Sequence, residues 1–288
     1  MEVKEKIIEY LESPGVQALA KTTQDGYRFS LNDLEKFCER TNVKKIEDVE
    51  AKMPNLAASM KRRKISDQTV SQKITGIKIF LKWAGLPSQY TFHISSTGKK
   101  AFKLKHAKRW LAQAELEACR AYAFPKSSNA MRDRLMVALL IETGCRAKEL
   151  AVIRGGDIDM IGGSLFLSDS KTEPRPAFFS QETHGLMKKL RHKTGDVHWE
   201  KEIFPDVDRI KEIVTWMLKD LGLKNGKDGR GPHVFRHYFA SHLFFTGGMR
   251  IEEVATLMGD TVDTVRSVYL HCPVDVLKIK TRKAMGWL

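Results

Sequence analysis

"PHVFRHYFASHL", residues 232–243, opens on a proline suited to the first turn of a helix and then places Phe235, Phe239 and Leu243 on one face. A helix is expected here, with His233 and Arg236 three residues apart and so directed from one turn toward one place. Upstream lies the glycine-rich, basic stretch Lys224–Gly231, and before it two helical patterns at Glu182–His192 and Arg209–Leu221. Further back, Ser164–Ser168 and Pro176–Ser180 are short apolar runs around the polar Asp169, Ser170, Lys171, Thr172 and Glu173, which predicts a hairpin with Lys171 near its turn. Gln113–Tyr122 and Arg132–Glu142 are again helical, and downstream Val262, Val265 and Tyr269 share a helical pattern. The expected fold is therefore mostly α with a small β-sheet.

The first 85 residues read as helices only. Val3, Ile7, Ile8 and Leu11 share a face, as do Tyr27, Leu31, Leu34 and Cys38, then Val70, Ile74, Ile77 and Leu81, with Ser66 placed to cap the last group. Periodicity fades at Gly85, Leu86 and Pro87 and stays weak through Ser95–Lys100. This predicts an N-terminal helical domain over 1–86, a basic linker over 87–106 and a larger mixed α+β domain over 107–288.

The chain has 288 residues, of which 42% are hydrophobic and 29% charged, enough to bury a core and too ordered in composition for a disordered or fibrous protein. Its longest apolar runs, such as Leu135–Ile141, fall far short of the roughly 20 residues that cross a bilayer, and the charged start Met-Glu-Val-Lys-Glu-Lys is unlike a secretory leader. No membrane partner and a cytoplasmic, nucleoid-associated location are expected. Cys38, Cys119, Cys145 and Cys272 are too widely spaced for a zinc or redox motif, which fits a reducing compartment. The net charge of +14 is concentrated: Lys61–Arg109 carries thirteen Lys or Arg against a single acid, Asp67. Solvated charged faces usually interleave both signs, so a phosphate-facing surface is expected, with Lys61, Arg62, Arg63, Lys64, Lys73, Lys103, Lys105 and Lys108 as candidate DNA contacts.

Three segments together resemble the tyrosine recombinase and integrase family, of the Xer-like or archaeal integrase kind. They are "ETGCRAKELAVIRGGDID" (142–159), "HVFRHYFASHL" (233–243) and "LMGDTVDTVRSVYLH" (257–271), in the family's order and spacing over roughly residues 107–275. The resemblance implies an N-terminal SAM-like, core-binding domain that clamps DNA, and a catalytic domain that cleaves and rejoins strands through a 3′-phosphotyrosine. It implies Tyr269 as nucleophile, Arg146 and Arg236 as the guanidinium pair on the scissile phosphate, Lys171 as general acid and His233 as general base or phosphate donor. It also implies no cofactor, no metal, double-stranded DNA as partner, and four protomers on two DNA sites that are monomeric when free, with the tail around Val276, Leu277 and Ile279 docking on a neighbour.

The chain departs from the family pattern at Asp260, a possible sixth active-site position where His or Trp usually donates to the phosphate. An ionised Asp cannot donate and carries like charge. Three explanations stay open: Asp260 caps the following helix, another donor such as His237 replaces it, or it slows the chemistry. Lys171 also reads as an exposed turn lysine and His233 as a packed histidine. Two rival functions fit the same residues, a type IB topoisomerase-like strand breaker and a non-catalytic DNA-binding protein on the recombinase scaffold.

Overall fold

From Leu135 to Ile141 the Ala130–Thr143 helix is apolar on every side. Leu135, Met136, Val137, Leu139, Leu140 and Ile141 are all buried, and a helix without a polar face has to be central. Asn129 caps its start by accepting from the Arg132 N–H, and Gly144 ends it with φ +60°. A side chain at Gly144 would collide with the Phe239 ring, with its Cβ 2.5 Å from a ring carbon, so only glycine serves both the turn and the packing.

This helix belongs to a computed structural model that describes residues 2–97, 111–168, 174–226, 228–270 and 274–286, with backbone alone at 197, 198, 274–276 and 279. The chain forms two compact units, Met1–Lys103 and Leu104–Leu288. Among the described residues no helix is long and apolar enough to cross a membrane.

The first unit is helical: Val3–Glu12, Pro14–Gln17, Lys21–Thr41, a 3-10 turn at Ile46–Asp48, Val49–Arg62 and Asp67–Trp83. Ser66 caps the last helix through the Thr69 N–H, and Val70, Ile74, Ile77, Phe80 and Leu81 from it pack against Leu31, Leu34, Met53, Leu56 and Met60. Lys73 corrects the surface reading of its segment. It is buried, ion-paired to Asp33 on the Lys21–Thr41 helix, with its ammonium 3.3 Å from the Phe29 ring centre. Lys73 sits at helical spacing with Val70 and Ile77, so it turns inward, and a buried ammonium holds only because a carboxylate and an aromatic face meet it.

In the second unit the central helix is surrounded by Gln113–Ala121, Gln181–Thr194, Val207–Asp220 and His233–Phe245. One antiparallel sheet, in the order β1 (Ile158–Asp159), β2 (Ser164–Leu167), β3 (Arg175–Phe178), lies beside them. The β2–β3 hairpin stands where the apolar runs predict it, whereas β1 is too short to leave a period-2 signal. Leu165 pairs with Ala177 and Leu167 with Arg175, which points those four side chains inward and leaves Phe166 and Phe178 exposed. A smaller core of Ala240, Val254, Ala255, Met258, Val265 and Tyr269 joins the His233–Phe245 helix to the Ile251–Met258 helix and the turn that follows it.

Candidate active site

Tyr269 ends a short helical run that starts at Val262, and the run widens: Val265–Tyr269 is a π-helical turn in which the Leu270 N–H donates to the Val265 carbonyl five residues back. The extra residue in the turn re-aims the side chain at its end, a device common at functional sites. Ser241 donates to the Tyr269 carbonyl at 2.7 Å, and the His237 ring lies 4.9 Å from the phenol ring. Tyr269 is 7% exposed, and its hydroxyl accepts from Arg236 Nε at 3.3 Å.

Arg236 projects from the interior of its helix and is fully buried, which requires a complete set of acceptors for a permanent cation. Nη1 donates to the Gly144 carbonyl at 2.7 Å, and Nη2 to the Met258 carbonyl at 2.6 Å and to Asp260 Oδ2 at 2.7 Å. Burial alone pulls the guanidinium pKa down. The facing Tyr269 hydroxyl and Asp260 carboxylate more than offset this and hold it above the ordinary value.

Arg146 comes from the N-terminal edge of the Ala147–Ala151 helix. Its Nη2 donates to the same Asp260 Oδ2 at 2.8 Å and to the Gly259 carbonyl at 3.2 Å, and its Nη1 to Glu149 Oε1 at 2.8 Å. Glu149 also reaches back to the Arg146 backbone N–H at 2.7 Å and receives both terminal nitrogens of Arg175 at 3.1 and 2.9 Å. Burial would raise the Glu149 pKa, yet these donors, Arg175 first, hold it below the usual carboxylate range. Arg175 Nε adds a bond to the Leu257 carbonyl at 2.8 Å. Gly259, with φ +58°, ends its helix directly over Arg175, where a Cβ would stand 2.6 Å from Arg175 Nη1. Three arginines and two carboxylates thus form one chain of contacts: Arg175, Glu149, Arg146, Asp260, Arg236, then the Tyr269 hydroxyl.

The structure brings Arg146, Arg236, Tyr269 and Asp260 together. Asp260 is not the cap of the next helix: Thr261 does that by accepting from the Thr264 N–H, which frees Asp260 to bridge the two arginines. His233 opens its helix as an exposed residue. Lys171, Lys103, Lys105 and Lys108 lie outside the described residues. Of the other candidate DNA contacts, Arg62 and Lys64 are exposed, Lys61 is ion-paired to Asp67, and Arg63 to Asp33 at 2.8 Å. In the tail helix Val274–Ala284, Leu277 is half exposed and Lys280 sits 5.7 Å from the Phe245 ring centre. Glu149 and Arg175 were missed. Glu149 stands three residues after Arg146 and reads as a helix-start carboxylate, while Arg175 before a proline reads as a surface strand residue.

The phage integrase family matches residues 109–275. Tyrosine recombinase XerA of Saccharolobus solfataricus is 28% identical over 229 residues, 79% of this chain and 71% of that protein. Tyrosine recombinase XerC of Anoxybacillus flavithermus is 24% identical over 285 residues, 94% of this chain and 93% of that protein. In fold, the chain is similar to the Tn1549 transposon integrase solved in complex with circular intermediate DNA, with a TM-score of 0.71 at 14% identity, over 99% of this chain and 100% of that one. With the matched region spanning more than half of its length and enclosing every member of the arginine–tyrosine cluster, the chain belongs to the phage integrase family, the tyrosine recombinases.

Proposed function

We propose that this protein is a site-specific DNA recombinase that cleaves and rejoins strands through a 3′-phosphotyrosine on Tyr269. The observation that carries the reading is the contact of Arg236 Nε with the Tyr269 hydroxyl, with Arg146 tied to Arg236 through one shared oxygen. Attack by the phenol oxygen on the scissile phosphorus forms the Tyr269–phosphate ester and breaks the bond to the 5′ oxygen. The negative charge that builds on the non-bridging oxygens falls to Arg146 and Arg236, whose donors are fixed before the substrate arrives. Lys171 gives the proton to the departing 5′ oxygen, and His233 at the helix start assists as base or phosphate donor. The ester conserves the bond, so a 5′ hydroxyl from a second strand reverses the attack and joins a new neighbour without nucleotide hydrolysis. The guanidinium groups supply the charge that a metal would otherwise supply, so cleavage persists in a chelator.

Double-stranded DNA is the partner. Arg62 and Lys64, with Lys103, Lys105 and Lys108, are its non-specific contacts, and the helical first unit with the basic segment after it is the clamp. Four protomers act on two sites, with the exposed tail helix docking on a neighbour, and the protein works in the cytoplasm on the nucleoid. A duplex nicked just beyond the scissile phosphate tests the chemistry, because the freed fragment diffuses away and traps the intermediate. The parent chain accumulates a covalent adduct and Tyr269→Phe accumulates none. Equal absence from both would leave a binding protein on the recombinase scaffold.

A further inference from the structure

The carboxylate between the two arginines stands where the proposed chemistry needs a phosphate oxygen. Each terminal guanidinium nitrogen carries two hydrogens. Arg146 Nη2 directs its pair to the Gly259 carbonyl and Asp260 Oδ2, and Arg236 Nη2 directs its pair to the Met258 carbonyl and the same Oδ2. Every hydrogen on the two nitrogens that face one another is therefore committed. Of the three acceptors, the Met258 and Gly259 carbonyls are backbone at a helix end fixed by bonds from the Gly259 N–H to Ala255 and Thr256. Asp260 alone is a side chain, with two torsions between its carboxylate and the main chain, and it is 14% exposed at the edge of the cluster.

We propose that Asp260 is a positioning residue and latch: its carboxylate holds Arg146 and Arg236 in place as a stand-in for the scissile phosphate, and an incoming phosphate must displace it. The proposal rests on the assignment of the two arginines to the phosphate and adds how they are kept before DNA arrives. Two neighbouring guanidinium groups with no anion between them repel each other and each lose one acceptor, so a resident carboxylate preserves their geometry. That same carboxylate competes with any dianionic or monoanionic phosphate for the two hydrogens that point at it, and left in place it opposes the entering charge. The departure from His or Trp at this position thereby exchanges a phosphate donor for a resident competitor.

The test uses the full chain and two readouts. In the first, inorganic phosphate is titrated into the DNA-free protein at constant ionic strength, with the thermal midpoint as readout, since a ligand that binds only the folded state raises it. Asp260→Asn, which keeps the shape and removes the charge, reaches the same upshift at about tenfold lower phosphate than the parent. Asp260→Ser repeats the comparison should the Asn variant not fold. Parent and variants that respond at the same phosphate concentration overturn the latch. In the second readout, covalent adduct on the nicked duplex, Asp260→Asn reacts several-fold faster than the parent at equal DNA occupancy, and a rate equal to or below the parent's overturns the latch as well. Absence of adduct from every protein, with the tenfold phosphate difference retained, would remove the catalytic reading and leave the competition between Asp260 and phosphate standing.

Discussion

The two units bury charge to different ends. In the first, buried carboxylates draw cations in from the rim: Asp33 meets the buried Lys73 and the exposed Arg63, and Asp67 meets the exposed Lys61 and the Ser95 hydroxyl and N–H. Every partner there is exposed at one end or enclosed among neighbours that complete it. In the second unit the guanidinium groups of Arg146, Arg175 and Arg236 are themselves drawn inside, linked through Glu149 and Asp260 beside a tyrosine hydroxyl. Cations at the rim complete a fold and stay open to solvent, whereas guanidinium groups held inside beside a tyrosine hydroxyl belong to a site, and changes of decreasing size sharpen that contrast.

Arg236→Ala has the largest effect expected, because it takes the arginine donor from the Gly144 and Met258 carbonyls and removes one of the two guanidinium partners of Asp260. Breaking a buried charged partnership costs about 3–5 kcal/mol, and loss of a preorganised phosphate donor costs about 10²–10³ in rate. Urea midpoints and single-turnover cleavage read the two losses. Arg146→Ala, whose side chain is 18% exposed, lowers cleavage on the same scale while costing less stability. Equal and small losses for both would erase the distinction between the buried and the partly exposed arginine.

In the first unit the prediction divides residues that share one charge run. Arg62→Ala and Lys64→Ala each reduce the salt slope of DNA binding by about one unit. Lys73→Met leaves that slope unchanged and lowers stability, since its ammonium serves Asp33 within the core. A reduced slope for Lys73→Met would return it to the surface.

The smallest effect is in acid. Bonds from Lys61 and Ser95 bring the Asp67 pKa down to about 2 from an ordinary value of 3.8. A carboxylate depressed on folding stabilises above its unfolded pKa, and that stabilisation is lost as pH falls through the folded one. Asp67 therefore contributes fully above about pH 4 and loses its contribution between pH 4 and pH 2. Protection factors of amides in the Val49–Arg62 and Asp67–Trp83 helices should fall over that window in the parent, and Asp67→Asn should show the lower protection already at neutral pH.

Much of this was legible before any coordinates. Arg146, Arg236 and Tyr269 stand in local motifs, where residue type and spacing carry the signal, and the β2–β3 hairpin announces itself by two apolar runs around a polar turn. Two features were not. Asp260 meets Arg146 across 114 positions of sequence, and pairing over that distance leaves no local trace. The π-helical turn before Tyr269 differs from an α-helix by one residue per turn, which composition does not encode. Lys73 was readable, since Val70, Lys73, Ile74 and Ile77 form one helical stripe, but a charge count along the chain ignores which side of the helix each cation faces.

The account depends on one covalent bond, and mapping it is the most direct trial. The nicked duplex is reacted with the full chain and digested with nuclease and trypsin, and the peptide Ser267–Lys278 is analysed by mass spectrometry. A nucleotide joined through its 3′ phosphate to Tyr269 is the predicted result. Unmodified Tyr269 in a reaction that has nonetheless broken the strand, or a nucleotide attached to any other side chain, would contradict it.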